Sequence, residues 1–302
     1  MYQLAQIPRE QAFGITGNMI KRYLQKLLAY KSILVNWLAL VDYFWVAKVQ
    51  KRPYFGRIHA ASQASPIRLA HLKRLMEVKA GEHDGHPFNI LEIGTWARES
   101  AIWMAKQMKV LGSLGTVVCI DPWAMYSELN ITACPKGTSR RRMKEALKGD
   151  AILKLFLHNV KASGCGDVIQ YIRGTSQDIL PLLRDDHFDI VYIDGDHNYP
   201  YVCNDIRHAL RLVKDGGVVC GDDLELQIDE LPAQVNPDVV RHRHGEVEEY
   251  GDVPTHLGVT VAVGDTLGQV TTKDGFWMKK KEDRWESYSQ EIQRTPVPSK
   301  AK

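Results

Sequence analysis

From residue 88 onward, short apolar runs alternate with amphipathic stretches. The runs cover 88–93, 116–120, 168–172, 188–193 and 217–220. Between them, 100–108, 152–162, 176–183 and 201–213 carry apolar positions at three- and four-residue spacing, as on one face of a helix. Strands that alternate with helices predict βαβ units and a mostly parallel α/β sheet. Two further strand-like runs, 257–263 and 275–280, close the chain, flanked by Gly-Asp and Lys-Asp-Gly turn signals.

Residues 1–60 have no strand alternation and predict a helical N-terminal extension. Its apolar positions include Tyr23, Leu24, Leu27, Leu28, Ile33, Leu34, Trp37, Leu38, Val41, Phe44, Trp45 and Val49. Pro53 ends the block. An amphipathic stripe is most often a core face. This one is expected to pack on the α/β domain or on a second subunit. The rival expectation is a helix lying on a membrane surface, anchored by Trp37, Phe44 and Trp45. The main domain is expected over 61–290, and 291–302 read as a loose tail.

Composition excludes several classes. The chain has 302 residues, 44% hydrophobic and 25% charged. These are globular values, not those of a disordered, collagen-like or disulfide-scaffold protein. A net charge of +3 is too even to announce nucleic acid as a partner. It is unevenly spread, however. Between residues 19 and 52, Lys21, Arg22, Lys26, Lys31, Lys48, Lys51 and Arg52 face Asp42 alone. Between 225 and 252, eight acids (Glu225, Asp229, Glu230, Asp238, Glu246, Glu248, Glu249 and Asp252) face Arg241 and Arg243. That acidic stretch reads as a substrate lid, since long loops are more often functional than idle. Five cysteines without a C-x-x-C pair point to free thiols and a reducing, cytoplasmic setting. Cys119 and Cys220 sit in apolar runs, as buried cysteines do. The first residues show no basic-then-apolar leader. The longest nearly uncharged stretch, 32–41, reaches only about half a membrane span.

Two places carry candidate chemistry. The first is Leu91-Glu92-Ile93-Gly94-Thr95-Trp96, a strand ending in an acid, a glycine and a turn. In an open α/β sheet, ligands bind beyond the carboxyl ends of strands. Gly94 would let a ligand approach the backbone closely. One strand later, Asp121 is placed to accept from ribose hydroxyls. The dinucleotide motif G-x-G-x-x-G is missing, and Glu92 would repel a pyrophosphate but attract an α-amino group. Both points count against a nicotinamide oxidoreductase.

The second place is sharper. Asp194 ends the run 188–193 with His197 three residues on, and Asp222-Asp223 follow the run 217–220. Neighbouring parallel strands lie about 4.8 Å apart, so these carboxylates would converge at one sheet edge. Helix capping explains one such Asp easily and three poorly. Carboxylates without cysteine favour a hard cation, Mg²⁺ or Mn²⁺, with His197 beside it as a base. A metal-dependent hydroxylase would need two histidines and one carboxylate, whereas here one His stands with three Asp.

These motifs resemble class I S-adenosylmethionine-dependent methyltransferases, over roughly residues 88–281. More narrowly they resemble the Mg²⁺-dependent O-methyltransferases. Leu91-Glu92-Ile93-Gly94 is similar to the first motif of that family, and Gly174-Thr175-Ser176-Gln177-Asp178 to its adenine-side stretch in the catechol enzymes. The 28-residue separation of Asp194 and Asp222 fits the metal-ligand pattern of the catechol and macrolide-sugar branches. His197 matches the sugar branch, where the catechol branch has Lys. That branch includes proteins labelled rhamnosyl O-methyltransferase or cephalosporin hydroxylase. Asp223 likewise replaces the Asn of the catechol branch, and Arg98 stands where Gly is usual.

The resemblance implies a Rossmann-like sheet of seven strands with helices on both faces and an antiparallel last strand. It implies S-adenosyl-L-methionine bound by Glu92, Gly94, Trp96, Ser100, Asp121, Ser176, Gln177 and Asp194. It implies Mg²⁺ or Mn²⁺ on Asp194, Asp222 and Asp223, with His197 catalytic. The expected activity is O-methyl transfer to a sugar-containing or natural-product hydroxyl by a homo-oligomer, without nucleic acid. The runners-up are a catechol-type phenol O-methyltransferase and a non-catalytic interaction protein that uses its basic helices.

Overall fold

The computed structural model describes residues 33–60, 65–82, 87–97, 99–125, 139–242, 248–250 and 253–281. The first described element is helix α1, which spans 33–43 and widens into a π-helical stretch, Phe44–Val49. Helix α2 (Pro66–Gly81) carries Pro at its first position, where a missing N–H costs nothing. Strand β1 (Ile90–Ile93), helix α3 (Glu99–Val110) and strand β2 (Val117–Asp121) form the first βαβ unit. Helices α4 (Ser139–Ala146) and α5 (Ala151–Ser163) lead to β3 (Ile169–Arg173), and the short α6 (Ser176–Ile179) leads to β4 (Phe188–Ile193). Helix α7 (Tyr199–Leu212) returns the chain to β5 (Val213–Gly221). After β5 come α8 (Pro237–His242), the small ladder β6 (Glu248–Tyr250) and β7 (Val253–Thr255), α9 (Leu257–Leu267), and the hairpin β8 (Thr271–Lys273) and β9 (Phe276–Lys280).

The main sheet has seven strands in the order β3-β2-β1-β4-β5-β9-β8. The first five are parallel, and β9 runs antiparallel to both its neighbours. Strand order reverses between β1 and β4, which opens a crevice at their carboxyl ends. Every residue of β1, β2 and β4 is buried. That explains their near-continuous apolar runs, since central parallel strands are covered on both faces.

One face is covered by α2, α3 and α5, through residues such as Leu72, Met76, Met104 and Phe156. The other is covered by α7 and α9, through Val202, Ile206, Val259 and Ala262. The N-terminal segment joins the first layer: Ala47 and Tyr54 are buried in it, with Tyr43, Val46, Phe55 and Ile58 packed alongside. Asn159 fastens this segment. Its amide accepts from the Tyr54 N–H at 2.8 Å and donates to the Tyr54 and Ala97 carbonyls.

One expected strand is a helix. The run 257–263 lies in α9, with Leu257, Val259, Thr260, Val261, Ala262 and Val263 all buried. A helix buried nearly all round shows no polar face, so its sequence has no 3.6-residue signature. The seventh strand is instead β8, which the sequence reading missed. It pairs with β9 through a two-residue Asp274-Gly275 turn with φ of 55° and 81°, as the favoured hairpin turn requires.

The four described cysteines, Cys119, Cys165, Cys203 and Cys220, are buried free thiols; Cys134 lies outside the described residues. No helix among the described residues is long and apolar enough to cross a membrane.

Candidate active site

The crevice at the strand reversal is a cleft of about 370 Å³. Gly94, Trp96, Asp121, Ser176, Gln177, Asp194 and His197 line it. Glu92 and Ser100 do not. Both are fully buried beneath the turn, where Ser100 Oγ donates to Glu92 Oε1 at 2.5 Å. Arg98 lies outside the described residues.

The turn after β1 is shaped by the protein itself. Gly94 has φ +88°, and a Cβ there would stand 2.1 Å from the Asp194 carbonyl oxygen. The glycine is therefore required by the end of β4, before any ligand is considered. Gly94→Ala should cost at least about 3 kcal/mol of stability, the sum of left-handed strain and overpacking. A chemical-denaturation midpoint checks it.

Asp121 holds two tryptophans in left-handed backbone conformations. Its Oδ2 accepts from Trp96 N–H at 2.8 Å and its Oδ1 from Trp123 N–H at 2.6 Å. Trp96 and Trp123 have φ of 48° and 42°, strain that persists only where the surroundings over-determine it. Trp123 Nε1 in turn donates to the Trp96 carbonyl at 2.8 Å. A carboxylate offers about four acceptor positions, and Asp121 gives one oxygen to each of the two amides. Trp96 Nε1 donates to the His59 and Ala60 carbonyls at 3.2 Å each, which ties the N-terminal segment to the cleft floor.

Asp205 is a cleft residue that the sequence did not single out. It projects from α7 and is only 1% exposed. Burial pushes its carboxyl up to about 7, against hydrogen bonds from Ser176 and Asn204 that favour ionisation. A carboxyl raised in the fold is favourable at low pH and loses that advantage as pH climbs from about 4 to about 7. Asp205→Asn should therefore raise the melting temperature at pH 8 and leave it nearly unchanged at pH 4, a difference on the order of 4 kcal/mol. Its only sequence signal was an acid on the sheet-facing side of an amphipathic helix.

Beside the cleft, the ends of β4 and β5 bring Asp194, Asp222 and Asp223 together. One oxygen from each lies within 4.8 Å of the others. Asp194 and Asp222 are buried, and Tyr192 donates its hydroxyl to Asp194 Oδ2 at 3.0 Å. Asp223 has φ +63°, a left-handed conformation that Asp adopts more readily than most residues. The carboxylates already hold a cation from the chain. Arg68, on the first turn of α2, donates from Nη1 to Asp194 at 3.1 Å, pairs through Nη2 with Asp222, and lies 3.9 Å from Asp223. This stand-in charge shows the site's electrostatic preference, and three oxygen donors without sulfur suit Mg²⁺ or Mn²⁺.

His197 Nε2 is 2.8 Å from Asp223 Oδ2 and 4.0 Å from Asp194 Oδ1. The sequence placed one histidine here, and the fold adds a second. His256, the residue before α9, lies against His197 with ring centroids 4.8 Å apart. Glu225 grips His256 twice, accepting from its N–H at 3.0 Å and lying 2.9 Å from its Nδ1. His197, Asp223 and His256 thus also form a compact potential ligand group. Burial raises the Asp223 carboxyl, but His197 and then His256 outweigh that and hold it below the usual carboxylate range.

A second cavity, of about 590 Å³, opens on the β5 side. Asp222, Asp223, Glu225, Glu230 and Asp274 line it, with Arg68 and Lys273 as its cations. Glu225 and Glu230 come from the start of the acidic stretch. Later in that stretch, Arg241 is used structurally, in a two-pronged pair with Asp265 at 2.7 and 2.8 Å. Residues 243–247 and 251–252 lie outside the described part.

Comparison with known proteins agrees with this geometry. Residues 91–224 match a family profile described as a methyltransferase domain. The chain is 29% identical over 137 residues to a catechol O-methyltransferase of Mycobacterium tuberculosis, covering 45% of this chain and 47% of that protein. It is 28% identical over 155 residues to an uncharacterized protein of Acanthamoeba polyphaga mimivirus, covering 50% and 58%. The chain thus spans about half the length of the curated relatives it matches. Among solved structures, the O-methyltransferase NovP superposes with a TM-score of 0.50 at 15% identity, over 72% of this chain and 80% of that one. Residues 91–224 thus resemble a methyltransferase domain, carried on an open α/β sheet whose strand order reverses at the cleft.

Proposed function

We propose that the chain is an S-adenosylmethionine- and divalent-cation-dependent O-methyltransferase acting on a hydroxyl of a sugar-containing or natural-product small molecule. The observation that carries this reading is the convergence of Asp194, Asp222, Asp223 and His197 beside the cleft over Gly94, Asp121 and Ser176. S-adenosylmethionine supplies an electrophilic methyl group on a sulfonium. A cation held by Asp194, Asp222 and Asp223 supplies Lewis acidity and orientation.

The chain's own residues do the remainder. His197 takes the proton of the attacking hydroxyl, and Asp223 orients its imidazole. Asp121 would hold the ribose, and Ser176 and Gln177 would line the adenine, from their places around the cleft. Glu92 braces Ser100 under the turn that would carry the cofactor. The carboxylate-rich second cavity favours a neutral polyhydroxyl or amine-bearing acceptor over a phosphorylated one. A catechol-type phenol acceptor is the second reading, favoured by the mycobacterial relative named as a catechol O-methyltransferase.

Titration calorimetry with S-adenosylmethionine tests the cofactor, and absence of binding overturns the reading. Thorough chelation with EDTA should abolish transfer, and added Mg²⁺ or Mn²⁺ should restore it; full activity after chelation excludes metal assistance. Mass spectrometry of extracts given cofactor, with and without the protein, identifies the acceptor by its added methylene mass.

A further inference from the structure

Among the described residues, nothing covers the outward face of α1. Ile33, Leu34, Trp37, Leu38, Leu40, Val41, Phe44, Trp45 and Val49 are each about half exposed or more, with Trp37 at 59% and Phe44 at 61%. Tyr43, Val46 and Ala47 take the inner side and pack on the domain. The apolar side chains thus form one continuous outward surface, larger than the scattered hydrophobics a soluble monomer exposes. Asp42 is the sole charge between residues 33 and 47. Both ends of the stretch are basic in sequence: Lys26 and Lys31 precede it, and Lys48, Lys51, Arg52 and Arg57 follow it. The last four are exposed.

We infer that this face is a docking surface for an anionic lipid bilayer, with α1 lying in the interface plane and Trp37, Phe44 and Trp45 inserted among the headgroups. A helix with large aliphatic and aromatic residues on one side and lysine and arginine around it binds in this way. Basic residues near an anionic leaflet strengthen such binding and make it depend on salt. A second copy of the chain fits the face poorly. With basic residues at both ends, a two-fold partner would set like charges together in either direction.

The inference is independent of the methyl-transfer reading and is tested on the full chain with phosphatidylcholine vesicles, with and without phosphatidylglycerol. The protein should co-sediment with the anionic vesicles and bind the neutral ones at least about tenfold more weakly. Binding should fall as salt rises, and tryptophan emission should shift to the blue on binding. The double variant Trp37→Glu, Phe44→Glu should lose at least about tenfold in affinity while keeping its circular dichroism and melting temperature. If that variant unfolds, Ile33→Ser with Leu34→Ser replaces it. Absence of vesicle binding overturns the inference. So does light scattering that shows a dimer which the variants dissociate.

Discussion

On the proposed function, replacing His197 by alanine should lower methyl transfer by about 10²–10⁴-fold, the usual contribution of a general base, and leave S-adenosylmethionine affinity nearly unchanged. The expectation follows from where the imidazole sits. His197 lies between β4 and α7, with Nε2 2.8 Å from Asp223. Its backbone is pinned from the other side: a Cβ on Gly258 of α9 would stand 2.1 Å from the His197 carbonyl oxygen. The ring is therefore held by a carboxylate at one end and by close backbone packing at the other. That pre-organisation is what proton transfer at a fixed acceptor oxygen needs. The loss should appear in kcat, with the cofactor's dissociation constant as the control. A variant that weakens cofactor binding as much as turnover would assign His197 to the cofactor and not to the proton.

Arg68→Met destabilises the cation-free protein by roughly 3–5 kcal/mol, because it leaves the clustered carboxylates without their counter-charge. Arg68 is mostly buried, as are Asp194 and Asp222, so solvent screens this pair far less than a surface one. The same variant should bind Mg²⁺ and Mn²⁺ more tightly than the wild type, since the cation no longer has to displace a guanidinium. Thermal melts with and without Mg²⁺ measure both effects. At a cation concentration of 100 times the dissociation constant, binding returns about 2.7 kcal/mol, so Mg²⁺ should recover much of the lost stability. An equal rise in melting temperature for wild type and variant would show that Arg68 and the cation do not compete.

Much of the sheet was legible because buried parallel strands are apolar throughout. The runs of β1 to β4 and the second half of β5 stood out, and so did the amphipathic helices between them. The pattern failed at α9, where burial on nearly all sides removes the polar face that marks a helix. It failed also at β8, three residues long and only partly buried. The candidate site divides in the same way. Asp194, Asp222, Asp223 and His197 were legible because each follows a recognisable strand by a few residues, and strand ends meet at one sheet edge. Arg68 and His256 were not, since each reaches the site from a segment distant in sequence, and Asp205 was not, since it lies within α7 and not at a strand end.

Sequence by itself determined the α/β class, the edge of the sheet where chemistry gathers, and the residue types able to hold a cation and move a proton. These depend on local periodicity and on residues a few positions apart. Only the tertiary structure decided that Glu92 lies under the turn, that Asp121 clamps two strained tryptophans, and that Arg68 meets the three aspartates. It alone decided that, among the described residues, the outward side of α1 stays uncovered. Those outcomes depend on which distant segments pack together and how closely, and hydrophobic periodicity carries no record of that.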